Sequence, residues 1–131
     1  MTETVPVGKE KPLHPHEVIA REWFEAFNTH DIERLLSLYD DNAQHYSPRL
    51  RERQPKTKGW ISGKEALRAW WQDAFERLPS LRYKILSLIP NGSAVHMRYE
   101  RFVDGEATSE VTEVLLIQNG KIIESRVLSL S

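Results

Sequence analysis

The chain has no cysteine among its 131 residues. Disulfide staples, thiolate nucleophiles and cysteine-held metals are therefore excluded. An excess of either charge is lacking as well: 18 basic side chains face 19 acidic ones, for a formal net charge of −1. That balance argues against a general binder of nucleic acid or of an anionic bilayer. No apolar run approaches the roughly 20 residues that a membrane-spanning helix needs. The opening stretch, MTETVPVGKEKPLHPH, has neither a basic start nor an apolar segment, so it does not read as a signal peptide. A cytoplasmic protein is the expectation, and on that ground the sequon Asn91-Gly92-Ser93 is discounted. Glycine-rich phosphate loops, a Gly-x-Ser-x-Gly elbow, His-Glu-x-x-His, paired carboxylates and Asp-rich loops are all lacking. No nucleotide, metal or other cofactor is expected. His14 and His16 form at most a weak metal pair.

Glycine is scarce, with six in the chain, so its placement carries information. Asn91-Gly92, Asp104-Gly105 and Asn119-Gly120 have the composition of tight hairpin turns whose two central residues both take positive φ. They divide the second half into strand-like runs over 81–89, 93–103, 107–118 and 121–130. Three amphipathic helical segments precede these runs. Helices followed by a meander imply an α+β fold: a curved antiparallel sheet wrapped over helices, with one hollow between them.

Residues 1–14 hold little apolar content and read as a flexible arm; residues 15–131 read as a single domain. Pro15 suits the first turn of a helix, whose stripe is Ile19, Trp23 and Phe27, flanked by Ala20 and Phe24. Asn28 is a candidate stop and Asp31 a candidate N-cap. The second helix would bury Ile32, Leu35, Leu36 and Tyr39, and a short strand over 43–47 should follow. Residues 49–58, RLRERQPKTK, read as an exposed loop, with a phosphate contact or a lid over the hollow as alternatives. Single-strand binding would interleave aromatics, and this run has none. Ser62-Gly63-Lys64-Glu65 has the pattern of a capping box. It would open a third helix with Leu67, Trp70, Trp71, Ala74, Phe75 and Leu78 on its core side, ended by Pro79.

Glu113 is the most specific chemical signal. One strand face carries Val111, Glu113, Leu115 and Ile117, and the other Thr112, Val114 and Leu116. Whichever face points inward, the carboxyl lies among large apolar side chains. Such a group gains a hydrogen-bonding partner or stays protonated with a raised pKa, and can then donate to a carbonyl or take a proton from carbon. The alternative is a glutamate on the solvent face, paired across the sheet. His45 and Ser47 share a face by alternation; His45 is either a base or acid near neutral pH or a hydrogen-bonded structural residue. Trp23, Trp60, Trp70 and Trp71 suit core, rim or the wall of an apolar pocket.

At this point a resemblance enters. WFEAFNTHDIERLLSLYDDNAQHYSP resembles the opening helices and first strand of the nuclear transport factor 2-like superfamily. ISGKEALRAWW resembles its third helix, and VTEVLLIQNGKIIESRV its closing hairpin. The match spans about residues 16–130 apart from 49–58, and is most similar to the SnoaL-like group, which includes polyketide cyclases. The resemblance implies a cone-shaped α+β barrel, with three N-terminal helices packed in a strongly curved mixed or antiparallel sheet, a deep apolar pocket, and frequent homodimers through the sheet face. The superfold hosts isomerases, cyclases, hydrolases and non-enzymatic binders.

Ketosteroid isomerases of this superfamily carry a base aspartate just before a proline, where this chain has Ser47-Pro48. Their oxyanion-hole tyrosine falls at Trp23 and their oxyanion-hole acid near Glu113, where SnoaL-like cyclases also place a proton-transfer acid. Limonene epoxide hydrolases use an Arg-x-Asp pair, matched in spacing by Arg98-Tyr99-Glu100. Their second acid falls at about Val127, and alternation puts Val95, Met97 and Tyr99 inward and His96, Arg98 and Glu100 outward. The expectation is acid/base proton transfer on a small hydrophobic, ring-bearing carbonyl compound. Glu113 and His45 would be catalytic, and Trp23, Phe27, Ser47, Trp60, Trp71 and Tyr99 would contact the ligand. A non-catalytic binder and a dimerising association domain are the alternatives.

Overall fold

A computed structural model describes residues 13–131; most of the expected arm lies outside the described residues. Four helices pack against one six-stranded sheet. The order along the chain is α1 (Pro15–Asn28), α2 (Ile32–Ser37), β1 (Tyr39–Tyr46), α3 (Pro48–Arg53), β2 (Trp60–Ser62), α4 (Lys64–Arg77), β3 (Arg82–Asn91), β4 (Ala94–Val103), β5 (Glu106–Gln118) and β6 (Lys121–Leu130).

The strands are ordered β2-β1-β6-β5-β4-β3. β1 runs parallel to β6, and all other neighbours are antiparallel. The sheet is thus mixed and open, with β2 and β3 as its edges. The Asp104-Gly105 and Asn119-Gly120 turns have positive φ at both residues, as their composition requires. The first hairpin differs. Asn91 still pairs with Ala94, so the two turn residues are Gly92 and Ser93, with Gly92 at φ +62.

Helix α1 starts at Pro15 as expected, with His14 as N-cap accepting from the His16 backbone N–H. Asn28 closes it with a second task. Its Nδ2 donates to the Tyr83 carbonyl at 2.9 Å, while its Oδ1 accepts from the Tyr83 N–H at 2.7 Å. One side-chain amide thereby ties α1 to the edge strand β3. Asp31 caps α2 by accepting from the Arg34 N–H.

Four expectations need correction. Helix α2 ends at Ser37, and Tyr39 opens β1 while remaining buried. The capping box does not form: Gly63 is the N-cap of α4, and the Ser62 hydroxyl instead faces Gln44 across the β1–β2 pair. Residues 49–58 are not a plain loop, since Pro48–Arg53 is helical and a 3-10 turn follows at Pro55–Thr57. Ser47 caps α3 by accepting from the Arg49 N–H, Pro48 occupies its first turn, and Leu50 anchors it in the interior. There are consequently four helices rather than three.

Register determines what faces inward. Directly opposed residues project to the same side of a sheet. One interior row across the strands is Tyr83, Arg101 and Ser109; the next is Ile85, Tyr99, Val111 and Leu130. A third is Leu88, Met97, Glu113 and Val127, and a fourth includes Val95, Leu115, Ser125 and His45. The helices α1 and α4 cover this face with Trp23, Phe24, Phe27, Leu67, Trp71 and Phe75. On the outer side, His96 and Arg98 are exposed, and Arg98 pairs with Glu110 at 2.7 Å.

Candidate active site

Between the concave sheet face and helices α1, α3 and α4 lies a cavity of about 260 Å³. Trp23, Phe27, His45, Ser47, Trp71, Tyr99 and Glu113, all anticipated as site residues, line it. Trp60 does not. It lies opposite Tyr46 in the β1–β2 pair, one step out of phase with His45, and so projects from the outer face. There its ring packs against Tyr46 and beneath the Arg126 guanidinium, 5.3 Å from the ring centre. Ser47 reaches the cavity, but its Oγ is engaged as a helix cap.

Glu113 is 1% exposed. Its sheet neighbours are Met97 and Val127, so nothing directly beside it solvates a charge. Tyr99 lies diagonally across the β4–β5 pair and donates its hydroxyl to Oε1 at 2.6 Å. Oε2 is buried and has no partner. Burial pushes the Glu113 carboxyl up to about 7, and the Tyr99 hydrogen bond acts in the opposite sense. Tyr99 itself is pushed well above its ordinary value by burial and by the adjacent Glu113 charge, so it remains a donor.

A second polar chain runs beside this acid. Trp23 Nε1–H donates to Tyr39 Oη at 3.0 Å, and Tyr39 donates to Ser125 Oγ at 3.0 Å. Ser125 Oγ stands 2.7 Å from His45 Nδ1. Indole can only donate, so Tyr39 accepts from Trp23 and passes its own proton to Ser125. In the tautomer where Ser125 donates to Nδ1, the ring proton sits on Nε2. Burial lowers the His45 pKa to about 4, and a hydrogen bond with the Ser125 backbone partly opposes it. His45 is therefore a neutral imidazole that offers an N–H, not a proton reservoir at neutral pH.

The cavity has a basic rim, of which only the 49–58 part figures in the sequence reading, as the alternatives of a phosphate contact or a lid over the hollow. Arg49, Arg53, Arg77 and Arg101 line it, with Glu52 as the rim acid. Arg101 follows Tyr99 by two residues, so strand alternation was a usable signal. Arg49 arrives from α3, a helix that was read as loop. Ser125 and Tyr39 gave no signal, because each is ordinary in sequence and acquires its role only through register. Among the described residues, no group of three or more histidine, aspartate or glutamate side chains is placed to hold a metal.

A family model for the SnoaL-like domain matches residues 20–125. The chain belongs to the SnoaL-like domain family. Solved structures agree on the fold. A SnoaL-like protein of unknown function from Burkholderia thailandensis superposes with a TM-score of 0.80 at 23% identity, covering 89% of this chain and 94% of that one. A candidate polyketide cyclase from Sinorhizobium meliloti gives 0.70 at 17% identity, with coverages of 88% and 99%. A candidate ketosteroid isomerase from Kribbella flavida gives 0.66 at 15% identity, with coverages of 86% and 76%. No curated protein is similar enough in sequence to match. Among the described residues no helix is long and apolar enough to cross a membrane.

Proposed function

We propose that this SnoaL-like protein catalyses acid/base proton transfer on a small hydrophobic carbonyl compound bound in the cavity. The observation that carries the reading is Glu113 Oε2: a buried carboxylate oxygen with no partner among the described residues, on a residue that lines a cavity large enough for a small ring system. A buried polar atom without a partner costs free energy unless something else supplies the bond. A carboxyl held near 7 is divided between its two forms at neutral pH, so it can remove a proton from one carbon and return it to another. As the C–H bond breaks, its electron pair moves onto the carbonyl oxygen, and the His45 N–H is the donor available to that oxygen. Trp23, Phe27, Trp71 and Tyr83 supply apolar walls. The polyketide cyclase and ketosteroid isomerase likenesses fit proton transfer next to a carbonyl, although the aspartate base expected before Pro48 is replaced by a capping serine.

The test uses ring ketones in heavy water, with loss of the α-hydrogen signal followed by proton NMR. The protein should accelerate exchange for ketones that fit, and Glu113→Gln should abolish the acceleration while the circular dichroism spectrum is unchanged. Equal exchange in the variant rejects the assignment and leaves a ligand-binding module as the function. We further propose that two copies pair through the outer sheet face, where Ile89 is 58% exposed and Leu128 51%. Sedimentation of an Ile89→Lys variant as a monomer is the expected result.

A further inference from the structure

The two rim arginines nearest the sheet have no anionic partner among the described residues. Arg53 and Arg77 both reach Asp73, at 3.5 and 2.8 Å. Arg49 and Arg101 form no ion pair among the described residues; their recorded side-chain partners are hydroxyls. Arg49 donates to Ser109 Oγ at 3.3 Å, and Arg101 donates to Thr108 Oγ1 at 3.0 Å. Ser109 is the residue directly opposite Arg101 across the β4–β5 pair. The hydrogen bond from Arg49 therefore sets its guanidinium at the row of Tyr83, Arg101 and Ser109, on the cavity that Arg101 also lines. Arg101 is half-buried, and burial followed by the Arg49 charge pushes its pKa below the ordinary value. Two like charges on one stretch of rim, neither paired with a carboxylate among the described residues, favour an anion between them.

This site opens onto the same cavity as Glu113, and the two lie on one strand face. Ser109 and Glu113 are four residues apart on β5, which is roughly 13 Å of strand. The interval between them is filled by Val111 and Tyr99, both apolar toward the cavity apart from the Tyr99 hydroxyl already given to Glu113. The deep end thus has an unpartnered carboxyl oxygen, the middle is aromatic and aliphatic, and the mouth is cationic.

Building on the proposed reaction, we infer that the ligand is an organic acid: its carboxylate is clamped by Arg49 and Arg101 at the mouth, and its apolar ring portion extends inward to Glu113. Guanidinium pairs suit this task, because a carboxylate accepts two parallel N–H bonds from each fork. The anion also relieves the repulsion between the arginines. A neutral ring compound of the same shape would leave that repulsion in place.

The test is calorimetric titration of the full chain at low salt with 2-naphthylacetate and with its neutral amide, 2-naphthylacetamide. The acid should bind about tenfold tighter or more, as expected for hydrogen bonds to a charged group. Arg49→Gln and Arg101→Gln should each lower the affinity for the acid toward that for the amide, and leave the amide unchanged. Arg49 is on a short surface helix, so that variant reads the clamp even should Arg101→Gln fold poorly. Equal binding of the two compounds, preference for the amide, failure of the acid to bind, or an acid preference that survives the double substitution would each overturn the inference. Glu113→Gln separates this from the proposed reaction. It should keep the acid preference while losing ketone exchange.

Discussion

Replacing Glu113 by glutamine should stabilise the fold at alkaline pH and do so less at acidic pH, by an amount the burial of this group sets. The folded state holds the Glu113 proton up to about 7, against an ordinary value of 4.5. A raised pKa means that the proton binds the folded chain better than the unfolded one. The resulting stabilisation is fully present below 4.5 and is lost as pH rises through 7. At 1.36 kcal/mol per pKa unit the whole effect is about 3 kcal/mol, of which about 2.5 kcal/mol falls between pH 5 and pH 8. Glutamine keeps an oxygen for the Tyr99 hydroxyl and never ionises. Urea unfolding at pH 5 and pH 8 measures the difference between variant and wild type, with the slope checked for constancy. That difference should grow by about 2.5 kcal/mol toward pH 8. The wild type alone is a poor guide, because His45 acts with the opposite sign. Its pKa is lowered from 6.5 to about 4, so its stabilisation is present above 6.5 and is lost as pH falls through 4. The two groups offset one another in the wild-type profile, and only the comparison isolates the acid. A variant whose stability relative to wild type is the same at both pH values would refute the buried, proton-binding state of Glu113.

Tyr99→Phe removes the hydroxyl whose hydrogen bond acts to lower the Glu113 pKa. The midpoint of Glu113 titration, followed by carbon-13 NMR of labelled glutamate, should move above 7, and an unchanged midpoint would contradict the contact. Gly59→Ala would place a Cβ at 2.5 Å from Tyr46 Cε1 at a position with φ +95. The expected cost is about 2 to 4 kcal/mol, read from urea midpoints, and a loss below 0.5 kcal/mol would mean that the α3–β2 connection is not held as described.

Much of the architecture was legible because its signals are local. A proline at a helix start, an aspartate cap, and two of the three Asn-Gly or Asp-Gly turns behaved as their backbone chemistry requires. The Asn91-Gly92 turn slipped by one residue, since a lone glycine at the first turn position suffices. Helix α3 was read as loop although Ser47-Pro48 is a start signal. Six residues carrying a single buried leucine show too little periodicity to outweigh their charge. Around the site, the inward face of Tyr99 followed from alternation along its own strand, whereas alternation left Glu113 on either the pocket or the solvent face. The face of Trp60 did not follow, because its strand is three residues long and alternation has no phase until the partner is known.

The period of two along β5 was enough to say that Glu113 lies among apolar side chains, since both faces of that strand are apolar. Whether its carboxyl has company could not be said from the chain alone. Tyr99 and Glu113 meet through a diagonal across two strands, Ser125 meets His45 across 80 residues of chain, and Arg49 reaches Ser109, the residue opposite Arg101, from a helix beyond the sheet. Periodicity is a property of each segment by itself, whereas register between segments is settled by the packing of the whole core. For that reason the greasy setting of the acid belongs to the sequence, and its hydrogen bond, its unpartnered oxygen and the arginines above it belong to the tertiary structure.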